Sequence, residues 1–305
     1  MSFYSPPLMI RDQFCRRGAD NTKRYFMSET SINQDVKKFL GQQVPPGMAS
    51  WQKSLSRFLD RLVYKDEEEF LDSSHVPMET RLSLVEDLSR LNDRSGYHHA
   101  FLRRLEGLIK TLPKRPTEQP LSILDVGVGG GGLLRVIHRW AKRKRIQVEL
   151  FGVDLCKEFS QIAQSRLSAE GILATLFQGD ACSLKDFEDR SFDLVVSNYM
   201  VHHIRSTDKV GSFFSEVNRI ARQGWLVVDL DRRLYGPLFV LLAGFLLKAP
   251  RILIQDGIKS ARRAYRWHEI NSLLNEMRKI KKIDGMLCRP HSFFPYWMVK
   301  GSRSP

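Results

Sequence analysis

No run of apolar residues in this chain is long enough to cross a bilayer. The longest, LFVLLAGFLL at Leu238–Leu247, has ten residues, half of the roughly 20 a spanning helix needs. Cysteine is scarce: Cys15, Cys156, Cys182 and Cys288 are scattered and form no C-x-x-C pair. That excludes a disulfide framework and a zinc ribbon and fits a reducing cytoplasm. The opening residues, MSFYSPPLMIRDQFCRR, lack the apolar core of a secretory signal, so a cytoplasmic location is expected. Internal repeats and low-complexity segments are missing too. Acid is the minority charge, with 34 acidic against 48 basic residues, a net charge of +14 and a pI near 9.8. Such a field favours anionic partners of any kind: nucleic acid, acidic lipid or an anionic small molecule. What is present, 42% hydrophobic and 27% charged residues over 305 positions, is the composition of a soluble globular protein.

The pattern sharpens along the chain. Residues 1–79 are weakly patterned, with Pro45, Pro46 and a charge run from Lys65 to Glu69; they read as an appendage with some helix, its first 25 or so residues loose. Residues 80–119 read as a helical cap. Leu84, Val85, Leu88 and Leu91 share one helical face, and Tyr97, Phe101, Leu102, Leu105, Leu108 and Ile109 share another. Asn92–Gly96 separates the two, and PKRPTEQP links them to a core at 120–305. There, strand-like runs at 121–126, 147–153, 173–178, 192–197 and 224–229 alternate with helical patterns at 132–143, 157–169 and 208–221. This alternation predicts an α/β fold whose sheet is mostly parallel and covered on both faces. A helical insertion at 232–264 interrupts it. A helix around Trp267–Met277 follows, then KKIDGML and FFPYWMVKG, two strands in tandem that should pair antiparallel.

Four chemically suited positions fall at the carboxyl ends of successive strands, where an open α/β sheet binds its ligand. Asp125 precedes the glycine run after the first strand. Asp154 ends the second in GVDL, Asp180 follows the third in QGDA, and Asn198 ends the fourth in SNYMVHH. Gly127, Gly129 and Gly132 also satisfy the G-x-G-x-x-G pattern of dinucleotide sites. A carboxylate at Asp125 repels a pyrophosphate but suits a cation. Glycines allow close backbone approach, and amides at a helix start can bind a carboxylate. Asp154 suits the two hydroxyls of a ribose, and Asp180 an exocyclic amine. A ligand with a ribose, an adenine, an amino-acid end and a positive centre fits all four, and S-adenosylmethionine is such a ligand.

The run ILDVGVGGGG…GVDL…GDACSLKDFEDRSFDLVVSNYMVHHI resembles the class I S-adenosylmethionine-dependent methyltransferases, and within them the ubiquinone/menaquinone-biosynthesis-like group that methylates small molecules. The resemblance is dense over 120–230; over 265–300 it is only a helix–strand–strand pattern. It implies a Rossmann-like, seven-stranded sheet with the last strand antiparallel, and S-adenosyl-L-methionine as cofactor. It carries cofactor binding onto Asp125, Gly127, Gly129 and Gly131, onto Asp154 with Leu155 beside it, onto Asp180 and Ala181, and onto Asn198. It also matches Ser191–Phe192–Asp193 at a strand start and the pair His202–His203. Gly130 and Gly132 add two further glycines to that turn. No metal ligand set is expected.

Other residues carry two readings each. His202 or His203 is a candidate general base on a phenol or similar hydroxyl, since imidazole titrates near working pH; otherwise the pair orders a loop. Tyr199 lines a methyl-transfer channel or packs on the cofactor. Asp229 contacts substrate, or pairs at the surface with Arg232 or Arg233. Cys156 and Cys182 read as small packing residues. The Leu238–Leu247 run is a lid over an oily pocket, a buried core helix, or an in-plane membrane contact with basic flanks. The expected function is methyl transfer to a lipophilic small molecule such as a phenolic, quinone or polyketide-like compound. The competing reading is an RNA or protein methyltransferase, favoured by the twelve basic and four acidic residues of 251–305. Against it, the fourth strand is followed neither by N-P-P-Y, which marks amino methylation of bases, nor by a Pro-Cys nucleophile. An NAD-dependent oxidoreductase is disfavoured by Asp125, and a silent binding fold by the intact cofactor positions.

Overall fold

The computed structural model describes Phe58, residues 63–112, 119–279 and 294–302, and the backbone of 286–290. The stretch expected to be loose at the N-terminus and most of the linker at 113–120 lie outside these residues. Ahead of the sheet run α1 (Met78–Arg94) and α2 (Tyr97–Ile109), parted by Gly96 at φ 71°. The alternating part follows: β1 (Leu121–Val126), α3 (Gly132–Lys144), β2 (Val148–Asp154), α4 (Lys157–Ala169), β3 (Ala174–Gln178) and β4 (Phe192–Asn198). A 3-10 turn (Val201–His203), α5 (Thr207–Ile220) and β5 (Ala221–Leu230) complete it. Beyond lie α6 (Gly236–Leu246), α7 (Arg251–Arg263), α8 (Trp267–Lys279), β6 (Met286–Pro290) and β7 (Tyr296–Ser302).

The strands form one sheet in the order β3-β2-β1-β4-β5-β7-β6. β1 to β5 are mutually parallel; β7 runs antiparallel to both β5 and β6, leaving β6 at the edge. β1 and β4 are buried almost throughout, which is why they read as unbroken apolar runs rather than alternating ones. β5 is longer than its apolar pattern, starting at Ala221 where a helix was expected to end; there Ala221 pairs with Phe192 across a bulge.

Each helix buries the face that its spacing sets aside. Val210, Phe213, Phe214, Val217 and Ile220 of α5 join Ile270, Leu274 and Met277 of α8 on one side of the sheet. Phe101, Leu102, Leu105 and Leu108 of α2 join Leu133, Leu134 and Ile137 of α3 on the other. The basic end of α3 carries Lys142, Arg143 and Lys144 in its last turn, where the helix dipole favours cations. A third, smaller core joins Leu71, Leu84, Val85 and Leu253, tying the segment before α1 to α7. Residues 64–77 have almost no regular structure, yet they are strapped to the body: the Asp256 carboxylate accepts the backbone N–H groups of Phe70 (2.7 Å) and Leu71 (3.1 Å). Lys259 reinforces the strap by donating to the Glu68 carbonyl and lying 3.7 Å from the Phe70 ring centre.

Candidate active site

Strand order reverses between β1 and β4, so a crevice opens beyond their carboxyl ends. Asp125 is the penultimate residue of β1 and is buried, with Oδ1 lacking any hydrogen-bond partner. Burial first, and the charge of Asp154 second, push its carboxyl well above the usual range. An orphaned buried acceptor is costly unless a ligand satisfies it, and a cation both satisfies it and restores its ionised form. The chain then turns through Gly127, Gly129 and Gly131 at φ 82°, 49° and 77°. These left-handed values are steep for any residue with a Cβ. A Cβ on Gly127 would also stand 2.5 Å from Met200 Cγ, whereas one on Gly129 would meet nothing within 4 Å. The turn therefore presents bare backbone beside Asp125.

Asp154 closes β2. Its carboxylate accepts the N–H of Gly129 (2.8 Å) and of Cys156 (2.9 Å), tying the second strand end to the glycine turn. Burial raises its pKa, and those two N–H bonds oppose the rise. Asp180 is exposed and accepts the Cys182 N–H at 2.8 Å. Leu155 is exposed beside Asp154, and Ala181 is half-buried beside Asp180. Asn198 ends β4, where its Oδ1 accepts the hydroxyl of Tyr97 at 2.5 Å. The orphaned carboxylate, bare turn and second acid fit S-adenosylmethionine: Asp125 faces positive charge, the turn offers close backbone, and Asp154 retains lone pairs for hydroxyls. Asp193 belongs to the opposite end of the sheet. It accepts from Ser122, Arg222 and Gln223 and locks the start of β4.

The two histidines part company. His202 is buried; its Nδ1 lies 2.6 Å from Asp229 Oδ1, and its backbone N–H donates to Asp229 Oδ2 at 3.1 Å. Asp229 is thus neither a surface acid nor a partner of Arg232 or Arg233, as the sequence had suggested. Those arginines pair with Glu269 and Asp231. The acid is the penultimate residue of β5 and is buried, so its partner is the histidine that arrives from the end of β4. His203 Nδ1 instead lies 2.8 Å from Asp72 and 2.7 Å from the Arg263 guanidinium. Burial alone would lower the His203 pKa, but the charge and hydrogen bond of Asp72, with Glu69, outweigh it and the net shift is upward. Asp72 is held below the usual carboxylate range: His203 and Arg263 overcome its burial.

Glu69 completes the cluster. Its Oε1 is 3.7 Å from His202 Nε2, 2.9 Å from Arg263 and 2.5 Å from Ser260 Oγ. Glu69, His202 and His203 bring ligand-type atoms within 4.8 Å of one another. The Arg263 guanidinium already stands among them, so a metal ion there would meet a like charge. Glu69, Asp72 and Arg263 were not legible as site residues, because Lys65–Glu69 has the look of a solvated charge run. The available signal was in α7, where Asp256, Ser260 and Arg263 recur at helical spacing.

A line of rings leads away from this acid–histidine cluster. Tyr199, at φ 53° in the left-handed region, stacks on Tyr97 with centroids 4.4 Å apart. Tyr97 meets Tyr296 edge-on at 6.0 Å, Tyr296 stacks with Phe294 at 6.3 Å, and Phe294 meets Phe239 of α6 at 5.7 Å. Burial pushes the Tyr97 and Tyr199 phenols up, which keeps both neutral. A strained non-glycine residue at a strand end is one way a fold stores energy to aim a side chain.

Residues 124–228 match the protein family described as a methyltransferase domain. The ajmaline N-methyltransferase of Rauvolfia serpentina is 32% identical over 141 residues, covering 45% of this chain and 45% of that protein. The phosphatidylethanolamine N-methyltransferase of Cereibacter sphaeroides is 31% identical over 142 residues, covering 43% of this chain and 64% of that one. The chain thus spans less than two thirds of the length of either relative. The plantazolicin methyltransferase BamL, solved with a triazolic desmethylPZN analogue and SAH, shares the fold, with a TM-score of 0.52 at 16% identity over 81% of this chain and 97% of that one. The matched residues 124–228 run from β1 into β5 and carry Asp125, the glycine turn, Asp154, Asp180 and Asn198, so the similarity to a methyltransferase domain falls on the crevice just described.

Proposed function

We propose that the protein transfers the methyl group of S-adenosylmethionine to a lipophilic small molecule bound along the Tyr199–Tyr97–Tyr296–Phe294–Phe239 line. The observation that carries this reading is that line itself: a contiguous aromatic path begins beside Asn198 at the cofactor end of the sheet and ends on the apolar helix α6. Rings of this kind favour flat or apolar ligands and give a nucleic-acid backbone no phosphate contacts. The relatives named above, one an ajmaline and one a phosphatidylethanolamine N-methyltransferase by name, support a small acceptor. A ubiquinone- or menaquinone-like, phenolic or polyketide-like acceptor fits the same surface.

S-adenosylmethionine supplies an electrophilic methyl on a sulfonium. Asp125 and Asp154 orient it, and the glycine turn lets backbone approach it. Direct displacement depends on alignment, which the stacked Tyr97 and Tyr199 enforce on the acceptor. Where the acceptor is a hydroxyl, His202 is the base. Asp229 accepts a hydrogen bond from Nδ1–H, so the lone pair is on Nε2, and Glu69 at 3.7 Å stabilises the imidazolium formed. A positioned base of this kind contributes on the order of 10²–10⁴ in rate. His203 serves the scaffold by pairing with Asp72, which Arg263 also holds directly.

The test is incubation with methyl-labelled S-adenosylmethionine and a panel of lipophilic phenols, quinols and amines, followed by organic extraction. Label in the organic phase is expected. Label confined to total RNA or to protein would transfer the assignment to the macromolecular class that the basic surface favours.

A further inference from the structure

In a helix lying on the surface of a soluble protein, large apolar residues face inward and polar ones outward. Helix α6 reverses this. Where it meets α7 the contact is made through glycines: a Cβ on Gly244 would stand 2.6 Å from Ile254 Cγ1, and one on Gly257 of α7 would stand 2.9 Å from Val240. The two helices are therefore pressed together through their glycines, which fixes the rotation of α6. Its outward face carries Leu238 (56% exposed), Leu242 (53%), Phe245 (78%) and Leu246 (77%), with Leu241 between them and Leu234 and Tyr235 at the approach. These positions recur every three or four residues, so they form one continuous stripe. The expectation of a buried core helix is overturned, because the leucines point away from the protein.

The charge around this stripe has one sign. Between Asp231 and Asp256 the chain contains no acidic residue, and Lys248 and Arg251 stand exposed just past the helix end. We propose that the outer face of α6, with Lys248 and Arg251, docks in the plane of an anionic lipid surface. Apolar side chains enter the headgroup–acyl boundary while the two cations reach phosphates, the arrangement of an interfacial helix. No helix among the described residues is long and apolar enough to span, so the contact is in-plane. A second copy of the chain is a poorer occupant. Its own α6 would bring Lys248 and Arg251 against like charges with no acid to pair them, and each copy carries a net charge of +14. The surface stands apart from the identity of the acceptor, although Phe239 on the inner side of α6 begins the ring path to the crevice.

The experiment is co-sedimentation of the full-length protein with phosphatidylcholine vesicles, with and without phosphatidylglycerol. The wild type is expected to pellet with the anionic vesicles, and less so as salt rises. Phe245→Asp and Leu242→Asp should each weaken partitioning about tenfold or more, given what one buried Phe or Leu contributes. The pair Lys248→Glu with Arg251→Glu should abolish the preference for phosphatidylglycerol. Unchanged melting temperatures and S-adenosylhomocysteine affinities identify each variant as folded. If one aspartate variant fails to fold, the charge-reversal pair tests the surface without it. Absence of the wild type from the anionic pellet, equal binding by Phe245→Asp, or a wild-type dimer in equilibrium sedimentation that Phe245→Asp dissolves would overturn the proposal, the last in favour of self-association.

Discussion

Asp256 holds the strap in place, and replacing it isolates what the strap contributes. In Asp256→Ala the backbone N–H groups of Phe70 and Leu71, 2.7 and 3.1 Å from the carboxylate, lose their acceptors. Asp256 is buried, and an unsatisfied buried donor costs about 1–3 kcal/mol. The two together should loosen the strap by about 2–6 kcal/mol. Because the strap packs through only a small core of Leu71, Leu84, Val85 and Leu253, the loss falls on its docking and leaves the sheet intact. Glu69 and Asp72 leave with it, so His202 loses its acid at Nε2 and His203 its partner. Limited proteolysis should therefore cut 64–77 at least tenfold faster while the main melting transition moves little. Asp256→Asn keeps one acceptor and should fall between the two. If the alanine variant resists protease as the wild type does, Asp256 is not what secures the strap.

Asp154→Ala removes the acceptor that ties the glycine turn to β2 and the proposed ribose contact; S-adenosylhomocysteine affinity should fall by about 2–3 kcal/mol in calorimetry, and an unchanged Kd would refute the placement. Gly127→Ala forces a Cβ into φ 82° against Met200 and should cost about 1–3 kcal/mol in denaturant unfolding; no loss would mean that the turn relaxes freely. The His203 pKa is raised in the fold, so its pairing with Asp72 contributes fully below about 6.5, the unfolded value, and is lost as pH rises through the folded value. The wild-type melting temperature should carry a downward step above about pH 6.5 that His203→Gln lacks. Parallel pH profiles would show that the pair adds nothing.

The sheet was legible because parallel strands are buried on both faces and leave apolar runs of distinctive length. The strand ends that meet at the crevice were legible for a related reason. Asp125, the three glycines, Asp154, Asp180 and Asn198 all follow strand ends, so chain order alone brings them to one crevice. The acid–histidine cluster obeys no such rule. Asp229 looked like a surface acid because neighbouring arginines suggested a partner, and only the depth of β5 reveals His202 instead. Glu69 and Asp72 come from a segment without periodicity, held by side-chain-to-backbone bonds from a helix almost 190 positions away. Pattern reading has no access to such pairings. For α6 the apolar run was readable but its rotation was not, because glycines choosing the contact with α7 is a fact of helix packing, not of composition.

The division between what was legible and what was not follows the division of labour in the site. Each residue assigned to the cofactor lies within 125–198, inside the span matched by the methyltransferase family. Tyr97, Tyr296 and Phe239, on the proposed acceptor path, lie outside it, as do Glu69, Asp72 and Arg263. His202 and Asp229 form the seam, one from the end of β4 and one from the end of β5. A single cofactor imposes one geometry, and a sheet with strand-end acids supplies it. An acceptor imposes no common geometry, so its side of the crevice is built from whatever segments the chain can fold back: here a strap, a helix pair and the last strand. The acceptor must accordingly be sought from the chemistry of that second half, apolar rings leading from a buried histidine to an exposed leucine stripe, and not from the substrates of relatives that share only the first.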